Sequence, residues 1–295
     1  MRVLLIDLLV ERAEFGHGGN QEVIRPMAKI SNVEVLLVTP QMQSFEAGEK
    51  VRDKTHMKLE EIDVPNWDYD YDFWSESKVE LEGRTINFNR IIMPMNEDEE
   101  EMISWLKKME LDAVVCSGSR RNVSIWEKWM SPTETLFRAA AKSGIPTLGI
   151  CFGHQLLCHS LGSKVERAEK FSSGIWNLEL TKDGENDELL TNHTENIREI
   201  ATLFSHQDHV MSVPKNCTLL SRTSHNDISA IRVNDDLGNP LPAWGIQFHP
   251  EAARKRIERA YGWGHISEEE YKSFRGEHDG SGILSSFAKI VAEKV

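Results

Sequence analysis

The stretch "IPTLGICFGHQLLCHSLG", at residues 145–162, joins two kinds of secondary structure within one short segment. Its first part, "IPTLGIC", has the length and apolar character of a buried strand, and "GHQLLCHSLG" predicts a helix that ends at Gly162. Cys151 lies between them, with Gly149 two residues before it and Gly153 two residues after it. A strand that passes into a helix through such a turn is typical of α/β proteins.

Three similar apolar runs precede this stretch, and segments with helical character separate them. The runs are "RVLLID", "VEVLLVTP" and "LDAVVCSG", at residues 2–7, 33–40 and 111–118. The intervening helices are predicted in "NQEVIRPMAKI" as far as Pro26, in "EDEEEMISWLKKM" and in "PTETLFRAAAKSG". This alternation predicts an α/β fold with a parallel sheet that is covered on both faces. Ligands bind at the carboxyl ends of such strands, so we expect residues 116–119 and 149–153 on one rim.

Residues 40–90 interrupt the pattern. "PNWDYDYDFWSES" alternates aromatic and acidic residues, and "KVELEGRTINF" indicates a hairpin that turns at Glu82 and Gly83. We interpret this region as an insertion, which is either a surface flap or a lid or partner-docking surface. After Ser163 the sequence is mostly β, and helical segments follow. We therefore expect one domain over residues 1–295, with an insertion at 40–90 and a C-terminal helical extension at 262–295.

The composition places the chain among ordinary soluble proteins. Hydrophobic residues make up 40% of the 295 residues and charged residues 27%. A net charge of −13 argues against a non-specific nucleic-acid binder, which needs clustered Lys and Arg. No apolar run has the length of a membrane span, and four cysteines in a chain of this length do not form a disulfide framework. We expect a cytoplasmic protein with free thiols, without nucleic-acid or membrane partners and without a cofactor.

Cys151 has three possible roles. With His154, Cys158 and His159 it offers closely spaced zinc ligands, although a zinc site normally takes a second ligand pair from elsewhere in the chain. The helix could also bury it as a small apolar residue, as we expect for Cys158, and for His159 we likewise favour a structural role. For Cys151 we favour a nucleophile, because the glycines permit a tight turn and the helix N-terminus stabilises a thiolate.

A second segment supplies the groups that such a nucleophile needs. "AWGIQFHPEA", at residues 243–252, is a β-run whose end carries His249, Pro250 and Glu251. A thiolate needs an imidazole to hold its proton, and the imidazole needs a third group to orient it. His249 and Glu251 are two residues apart, so on an extended strand they face the same side. The alternative is a surface histidine and a helix-capping glutamate at a strand end.

Three motifs together resemble one family. "GICFGHQ", "GIQFHPE" and, between them, "FSHQDHVMSVP" at residues 204–214 are similar to the motifs of the class I (triad) glutamine amidotransferases. The form "GSRRNVSIW" is more like stand-alone relatives of the GMP synthetase glutaminase domain. The resemblance implies a flavodoxin-like three-layer α/β sandwich with a mostly parallel central sheet. It also implies that Cys151 attacks a glutamine carboxamide and forms a γ-glutamyl thioester, with His249 as general base and acid and Glu251 orienting it.

The resemblance also implies roles for residues around this triad. The backbone N–H groups of Phe152 and Ser119 would stabilise the oxyanion. Ser119 stands where biosynthetic members of the family usually have the second glycine of Gly-Gly-Pro. The remaining residues that would contact the substrate are Gly118, Gln155, Ser205 and Asp208, with Asp208 suited to the α-ammonium group. His206 and His209 are interpreted as supporting residues.

Three functions remain at this stage. The first is a glutaminase that binds glutamine and passes ammonia to a separate synthetase subunit, since no G-x-x-x-x-G-K-[ST] phosphate loop occurs in the sequence. The second is a γ-glutamyl peptidase that uses the same triad on a small γ-glutamyl conjugate. The third is a non-catalytic binding module, against which the intact set of Cys151, His249 and Glu251 argues. We favour the first function over the second.

Overall fold

The computed structural model describes residues 1–9, 18–43, 76–81, 83–194, 196–197, 199–262, 264 and 266–294. The strands are β1 Arg2–Ile6, β2 Val33–Val38, β3 Glu76–Leu81, β4 Arg84–Arg90, β5 Ala113–Cys116, β6 Thr147–Ile150, β7 Val165–Asn177, β8 Glu179–Leu180, β9 Ala201–Val210, β10 Cys217–Thr223, β11 Asn226–Asn234 and β12 Pro240–Ile246. The helices are α1 Gly18–Ala28, α2 Pro40–Gln43, α3 Glu99–Met109, α4 Met130–Lys142, α5 Phe152–Ser160, α6 Glu188–Thr191, α7 Arg254–Gly262, α8 Glu268–Ser273 and α9 Gly280–Ala292.

A large twisted sheet organises the described part of the chain. Its strand order is β3-β4-β2-β1-β5-β6-β12-β11-β10-β8. The strands from β4 to β12 in this order run parallel, while β3 at one edge and β11, β10 and β8 at the other pair antiparallel. Strands β7 and β9 form a separate antiparallel pair. The predicted α/β fold with a mostly parallel central sheet is confirmed.

The central strands are buried on both faces, which explains their continuous apolar sequences. In β1, Val3 and Leu5 pack on one face with apolar residues of α1 and α9. Leu4 and Ile6 point to the other face, where they pack with residues of α3, α4 and α5. All four side chains are fully buried. Side chains alternate between the two faces of a strand, so β1 contributes to two cores and the helices cover the sheet on both sides.

Two helices show how local signals set their ends. The Asp98 carboxylate accepts hydrogen bonds from the backbone N–H groups of Glu100 and Glu101 and so caps α3. The sequence predicts that α1 ends at Pro26, but the helix continues to Ala28, and this prediction is wrong. The proline lies in the last turn, and the hydrogen bond from the N–H of Lys29 to the carbonyl of Arg25 continues the helical pattern past it.

Part of the predicted insertion belongs to the central sheet. Strands β3 and β4 form the predicted hairpin, and β4 pairs in parallel with β2. Ile86 and Phe88 of β4 are buried in the core beneath α1, so this strand is an integral part of the sheet. The aromatic and acidic segment at residues 65–77 lies mostly outside the described residues. The division of the chain into a domain, an insertion and an extension stays a prediction.

The residues after 262 include two helices, α8 and α9. Helix α9 buries Ile283, Leu284 and Phe287 against the core, while α8 lies beside the strand pair β7 and β9. None of the described helices combines the length and the apolar character that crossing a membrane would require.

Candidate active site

Cys151 occupies a strained turn between β6 and α5. Its backbone has φ 50° and ψ −98°, a conformation that a residue with a side chain rarely adopts. The turn is tight: a Cβ atom on Gly149 would lie 2.7 Å from the carbonyl oxygen of Gly153. A Cβ atom on Gly153 would overlap the carbonyl oxygen of Cys116 on β5. The two glycines therefore permit the close approach of strand and helix, and Cys151 becomes the N-cap residue of α5.

Cys151 differs in its surroundings from the other cysteines. Burial raises the pKa of the Cys116 and Cys158 thiols, and it raises the pKa of Cys217 to about 12. These three thiols therefore stay protonated and are poor nucleophiles. Cys151 lines a cavity, and its sulfur lies 3.4 Å from Nε2 of Gln247.

His249 and Glu251 lie together beside Cys151, although not on a strand. Strand β12 ends at Ile246, and residues 247–251 continue as bends and a turn. The N–H of His249 donates to the carbonyl of Leu203 on β9 at 2.7 Å, which fixes the turn against a second strand. Nδ1 of His249 then donates to Oε1 of Glu251 at 2.8 Å. The expected contact is present, but a turn brings the side chains together and not the alternation of an extended strand.

The charges around His249 favour its protonated form. Burial alone would lower the pKa of the imidazole, but the negative charges of Cys151 and Glu251 and hydrogen bonds to both outweigh burial. The pKa of His249 therefore lies well above its usual value. Because Nδ1 is bonded to Glu251, Nε2 is the ring nitrogen that remains for the sulfur of Cys151. The arrangement suits an imidazolium and thiolate pair.

The loop after β5 lies against this pair. A Cβ atom on Gly118 would stand 3.0 Å from Cε1 of His249 and 3.8 Å from Cβ of Cys151. Only a residue without a side chain fits here without moving the imidazole. Ser119 follows, and its hydroxyl accepts a hydrogen bond from the N–H of Arg121 at 3.1 Å. Ser119 and Phe152, the first residue of α5, line the same cavity as Cys151.

Strand β9 brings Ser205 and Asp208 to the site. The carbonyl oxygen of Ser205 lies 3.8 Å from the sulfur of Cys151. Both carboxylate oxygens of Asp208 accept hydrogen bonds from Ser124, one from its N–H and one from its hydroxyl, each at 2.8 Å. Nε2 of Gln155 donates to the backbone carbonyl of Asp208 at 2.9 Å. The predicted substrate-binding residues thus surround Cys151, and Asp208 also anchors the loop that carries Ser124.

A cavity of about 330 Å³ connects these groups. Small-molecule sites in proteins usually begin near this size. Polar side chains on its wall include those of Cys151, His249, Glu251 and Gln155. Apolar side chains also line it, and we name these five the apolar wall: Phe171, Leu203, Ile257, Ile266 and Phe274. The side chain of Phe171 is 52% exposed, so an apolar group bound against this wall would cover it.

Two residues near the site, Gln247 and Ser124, are not predicted from the sequence. Gln247 is two residues before His249, and this nearness in sequence is the usable signal, although residues 247–251 form bends and a turn and not an extended strand. Ser124 gives no such signal: it is 84 residues from Asp208, and only the folded loop brings the two together.

The residues of the zinc alternative do not converge: Sγ of Cys158 lies 3.9 Å from Nδ1 of His154, but Cys151 lines the cavity and His159 lies near the surface. His154 is fully buried against Gly245, and burial lowers its pKa to about 4. Cys158 lies in the core, and His159 pairs with Glu134 at 2.7 Å near the surface. Within the described residues, no group of three or more potential ligands is arranged to hold a metal ion.

The fold and this site define a known class of protein. The family model described as "Glutamine amidotransferase class-I" matches residues 74–261. A Pyrococcus abyssi protein, named as a subunit of glutamine-hydrolysing GMP synthase, is 32% identical over 190 residues, which cover 64% of this chain and 80% of that protein. The GMP synthase of Thermus thermophilus is 33% identical over 168 residues, but these are only 28% of its length. The chain belongs to the class I glutamine amidotransferase family, which confirms the predicted cysteine-nucleophile amidohydrolase class.

Solved structures share the fold. A glutamine amidotransferase from Thermotoga maritima superimposes with a TM-score of 0.60 at 18% identity and covers 99% of this chain and 98% of its own. A protein from Thermoplasma acidophilum, described as a GMP synthase subunit, gives a TM-score of 0.54 at 15% identity, with 100% of this chain and 95% of its own covered. At such identities the likeness concerns the fold alone.

Proposed function

We propose that the chain is a glutaminase subunit that hydrolyses the side-chain amide of glutamine and releases ammonia for a separate synthetase. One observation carries the proposal: Cys151, His249 and Glu251 line one cavity, with Glu251 bonded to His249. The family supplies the reaction class, and these three residues supply a nucleophile, a proton carrier and an orienting carboxylate.

The first half of the reaction forms a thioester. The thiolate of Cys151 bonds to the γ-carbonyl carbon of glutamine, and the carbonyl electron pair moves to the oxygen. The imidazolium of His249 donates its proton to the amide nitrogen, the C–N bond breaks, and ammonia leaves. The raised pKa of His249 supports this step, because the imidazole holds a proton that it can give to the leaving group.

The second half regenerates the enzyme. Neutral His249 takes a proton from water, and the resulting hydroxide attacks the thioester carbon. The C–S bond breaks, glutamate leaves, and the thiolate and imidazolium are restored. In both halves the backbone N–H groups of Phe152 and Ser119 would stabilise the oxyanion, which is consistent with the position of both residues on the cavity wall beside Cys151.

Substrate recognition falls to the residues on β9 and α5. Asp208 would bind the α-ammonium group of glutamine, while Ser205 and Gln155 would contact the rest of its amino-acid end. The two N–H bonds of Gln155 are directed to protein acceptors, so its carbonyl oxygen is the atom left for a ligand. A carboxylate and a carbonyl oxygen together suit a cationic amine.

The partner is proposed from relatives. The matched Pyrococcus abyssi protein is named as one subunit of a glutamine-hydrolysing GMP synthase, which points to a synthetase partner for that protein. We propose a partner of the same kind for this chain, which would take up the ammonia.

A second candidate is a γ-glutamyl hydrolase with the same triad. The apolar wall of the cavity favours it, because glutamine ends in a bare carboxamide and needs no apolar contact beyond Cys151. An N-substituted γ-glutamyl amide would place its leaving group against this wall. The chemistry is unchanged, except that an amine leaves in place of ammonia.

Trapping the covalent intermediate tests the proposal. Protein that turns over glutamine is quenched in acid, digested and examined by mass spectrometry. A γ-glutamyl adduct on the peptide that contains Cys151, absent from Cys151→Ala, is the expected result. An adduct on another residue, or substrate turnover that survives in Cys151→Ala, would contradict it.

A further inference from the structure

We propose that Gln247 is a further catalytic residue, which donates a hydrogen bond to the thiolate of Cys151 and holds the sulfur in its attacking position. This inference rests on the proposed function, in which Cys151 is the nucleophile. Nε2 of Gln247 lies 3.4 Å from Sγ of Cys151. Gln247 is fully buried, so no bulk water competes for this contact.

A chain of hydrogen bonds fixes the direction of the Gln247 carboxamide. The backbone carbonyl of Asp208 accepts one N–H of Gln155 at 2.9 Å. Nε2 of Gln155 also donates to Oε1 of Gln247 at 3.1 Å. Because Oε1 of Gln247 is occupied in this way, its NH₂ group must face the sulfur. The opposite orientation would place two NH₂ groups against each other and an oxygen lone pair against the thiolate.

The carboxamides of Gln155 and Gln247 therefore direct an N–H donor at the sulfur of Cys151, which can accept a hydrogen bond. A thiolate accepts hydrogen bonds and a thiol accepts them only weakly, so the Gln247 donor stabilises the charged, reactive form. Hydrogen bonds to charged groups are stronger than those between neutral groups. The same bond limits the rotation of the Cys151 side chain, which keeps the sulfur near His249.

Other titratable groups lie on the elements packed around this sulfur, and any pH measurement includes their effect. From the elements packed around Cys151 and Gln247 they are His249, Glu251, His206, Asp208, His154, Arg120 and Arg121. Burial lowers the pKa of His206 to about 3, so this side chain is neutral in the working range. A variant of Gln247 keeps all of these groups. A difference between its pH profile and that of the parent protein therefore reflects the loss of the Gln247 amide.

The test compares Gln247→Met, which keeps the length but removes the donor, with Gln247→Glu, which reverses the polarity at nearly the same shape. Two readouts are measured from about pH 5 to about pH 9, a range that spans the ordinary pKa values of His and Cys: kcat/KM on glutamine and the rate of alkylation by iodoacetamide. Thr147→Val is the matched control, because Thr147 is a buried hydrogen-bonding residue on the neighbouring strand β6, bonded to the carbonyl of Ile145. Circular dichroism and thermal melting show whether each variant is folded.

For Gln247→Met we expect kcat/KM to fall by about 10- to 100-fold. We also expect the acid limbs of both pH profiles to move to higher pH, with a larger loss in Gln247→Glu and little change in Thr147→Val. A folded Gln247→Met with the parent pH profile and alkylation rate would overturn the inference.

Two further variants keep the result decisive. If Gln247→Met does not fold, Gln155→Met decides instead, since it removes the partner that orients Gln247 while leaving Gln247 in place. Its alkylation profile should shift in the same direction, and an unchanged profile would overturn the inference. Cys151→Ala separates the two proposals: if it retains glutamine turnover, the proposed function has failed, whereas the alkylation comparison still tests the contact of Gln247 with the sulfur.

Discussion

Nδ1 of His249 lies 2.8 Å from Oε1 of Glu251, and the two residues reach this contact in a turn anchored to the carbonyl of Leu203. In the proposed mechanism the carboxylate holds the imidazole in the tautomer whose Nε2 can exchange a proton with Cys151. The orientation of His249 therefore depends on Glu251 directly and on strand β9 through the backbone.

Replacing Glu251 by Gln removes the charge and keeps the size of the side chain. We expect kcat to fall by about 10²- to 10⁴-fold, because the imidazolium loses its stabilising partner and the neutral imidazole loses its fixed tautomer. Steady-state glutaminase kinetics measure this loss. Glu134→Gln is the matched control, since Glu134 forms a similar pair with His159 at 2.7 Å outside the cavity. Equal activity of the two variants would contradict the assigned role of Glu251.

The titration of His249 tests the same interaction without substrate. The pKa of His249 is raised well above 6.5 in the folded protein, so its protonated form contributes to stability below about pH 6.5. This contribution is lost as the pH rises through the folded-state pKa. Glu251→Gln removes one of the two negative charges, so we expect NMR to show a lower pKa for His249 and a narrower pH range of stabilisation. An unchanged titration would mean that Glu251 does not act on this imidazole.

A methyl group at Gly118 should displace the imidazole. Its Cβ atom would stand 3.0 Å from Cε1 of His249, which is closer than an ordinary contact. Relieving this contact takes a shift of a few tenths of an ångström. Since a misplacement of about 1 Å can cost about 100-fold in rate, we expect Gly118→Ala to lose about 10-fold in activity while its melting temperature changes little. Gly262→Ala is the control, because a Cβ atom there meets no atom within 4 Å. Full activity in Gly118→Ala would show that the loop moves to make room for the methyl group and that the imidazole keeps its position, which would contradict this prediction.

Ser124 connects the loop after β5 with Asp208, the carboxylate that is predicted to bind the substrate. Its hydroxyl and its N–H both donate to Asp208 at 2.8 Å. Ser124→Ala removes the hydroxyl and keeps the backbone donor, so we expect KM for glutamine to rise by about 10-fold with kcat nearly unchanged. Steady-state kinetics separate the two parameters. A fall in kcat at constant KM would place the role of Ser124 in the chemistry and not in binding.

The sequence is informative where one segment carries the whole signal. The turn at Cys151 depends on Gly149 and Gly153, which are close neighbours in sequence, and the layers of the sheet follow from apolar runs such as β1. The spacing of His249 and Glu251 predicts their contact. The segment that carries them forms a turn, however, and not the strand that the sequence predicts. Pro250, which lacks an N–H group, lies in that turn, so the backbone does not continue the strand pattern there.

The sequence is less informative where a contact joins distant segments. The bond between Ser124 and Asp208 spans 84 residues, and that between Gln155 and Gln247 spans 92. The sequence predicts that strand β4 belongs to an insertion. Nothing in the segment of β4 itself indicates that it pairs with β2, which is distant in sequence. Register and pairing between separate segments are set by the packing of the complete sheet.

The central claim is that Cys151 hydrolyses a γ-glutamyl amide, and product detection by mass spectrometry tests it most directly. Purified protein and its Cys151→Ala variant are incubated with glutamine and with a panel of N-substituted γ-glutamyl amides and peptides. We expect glutamate and ammonia from glutamine in the parent protein, both lost in the variant. Preferred cleavage of a substituted amide would identify the second candidate function. Equal product formation by the two proteins on all substrates would contradict the account.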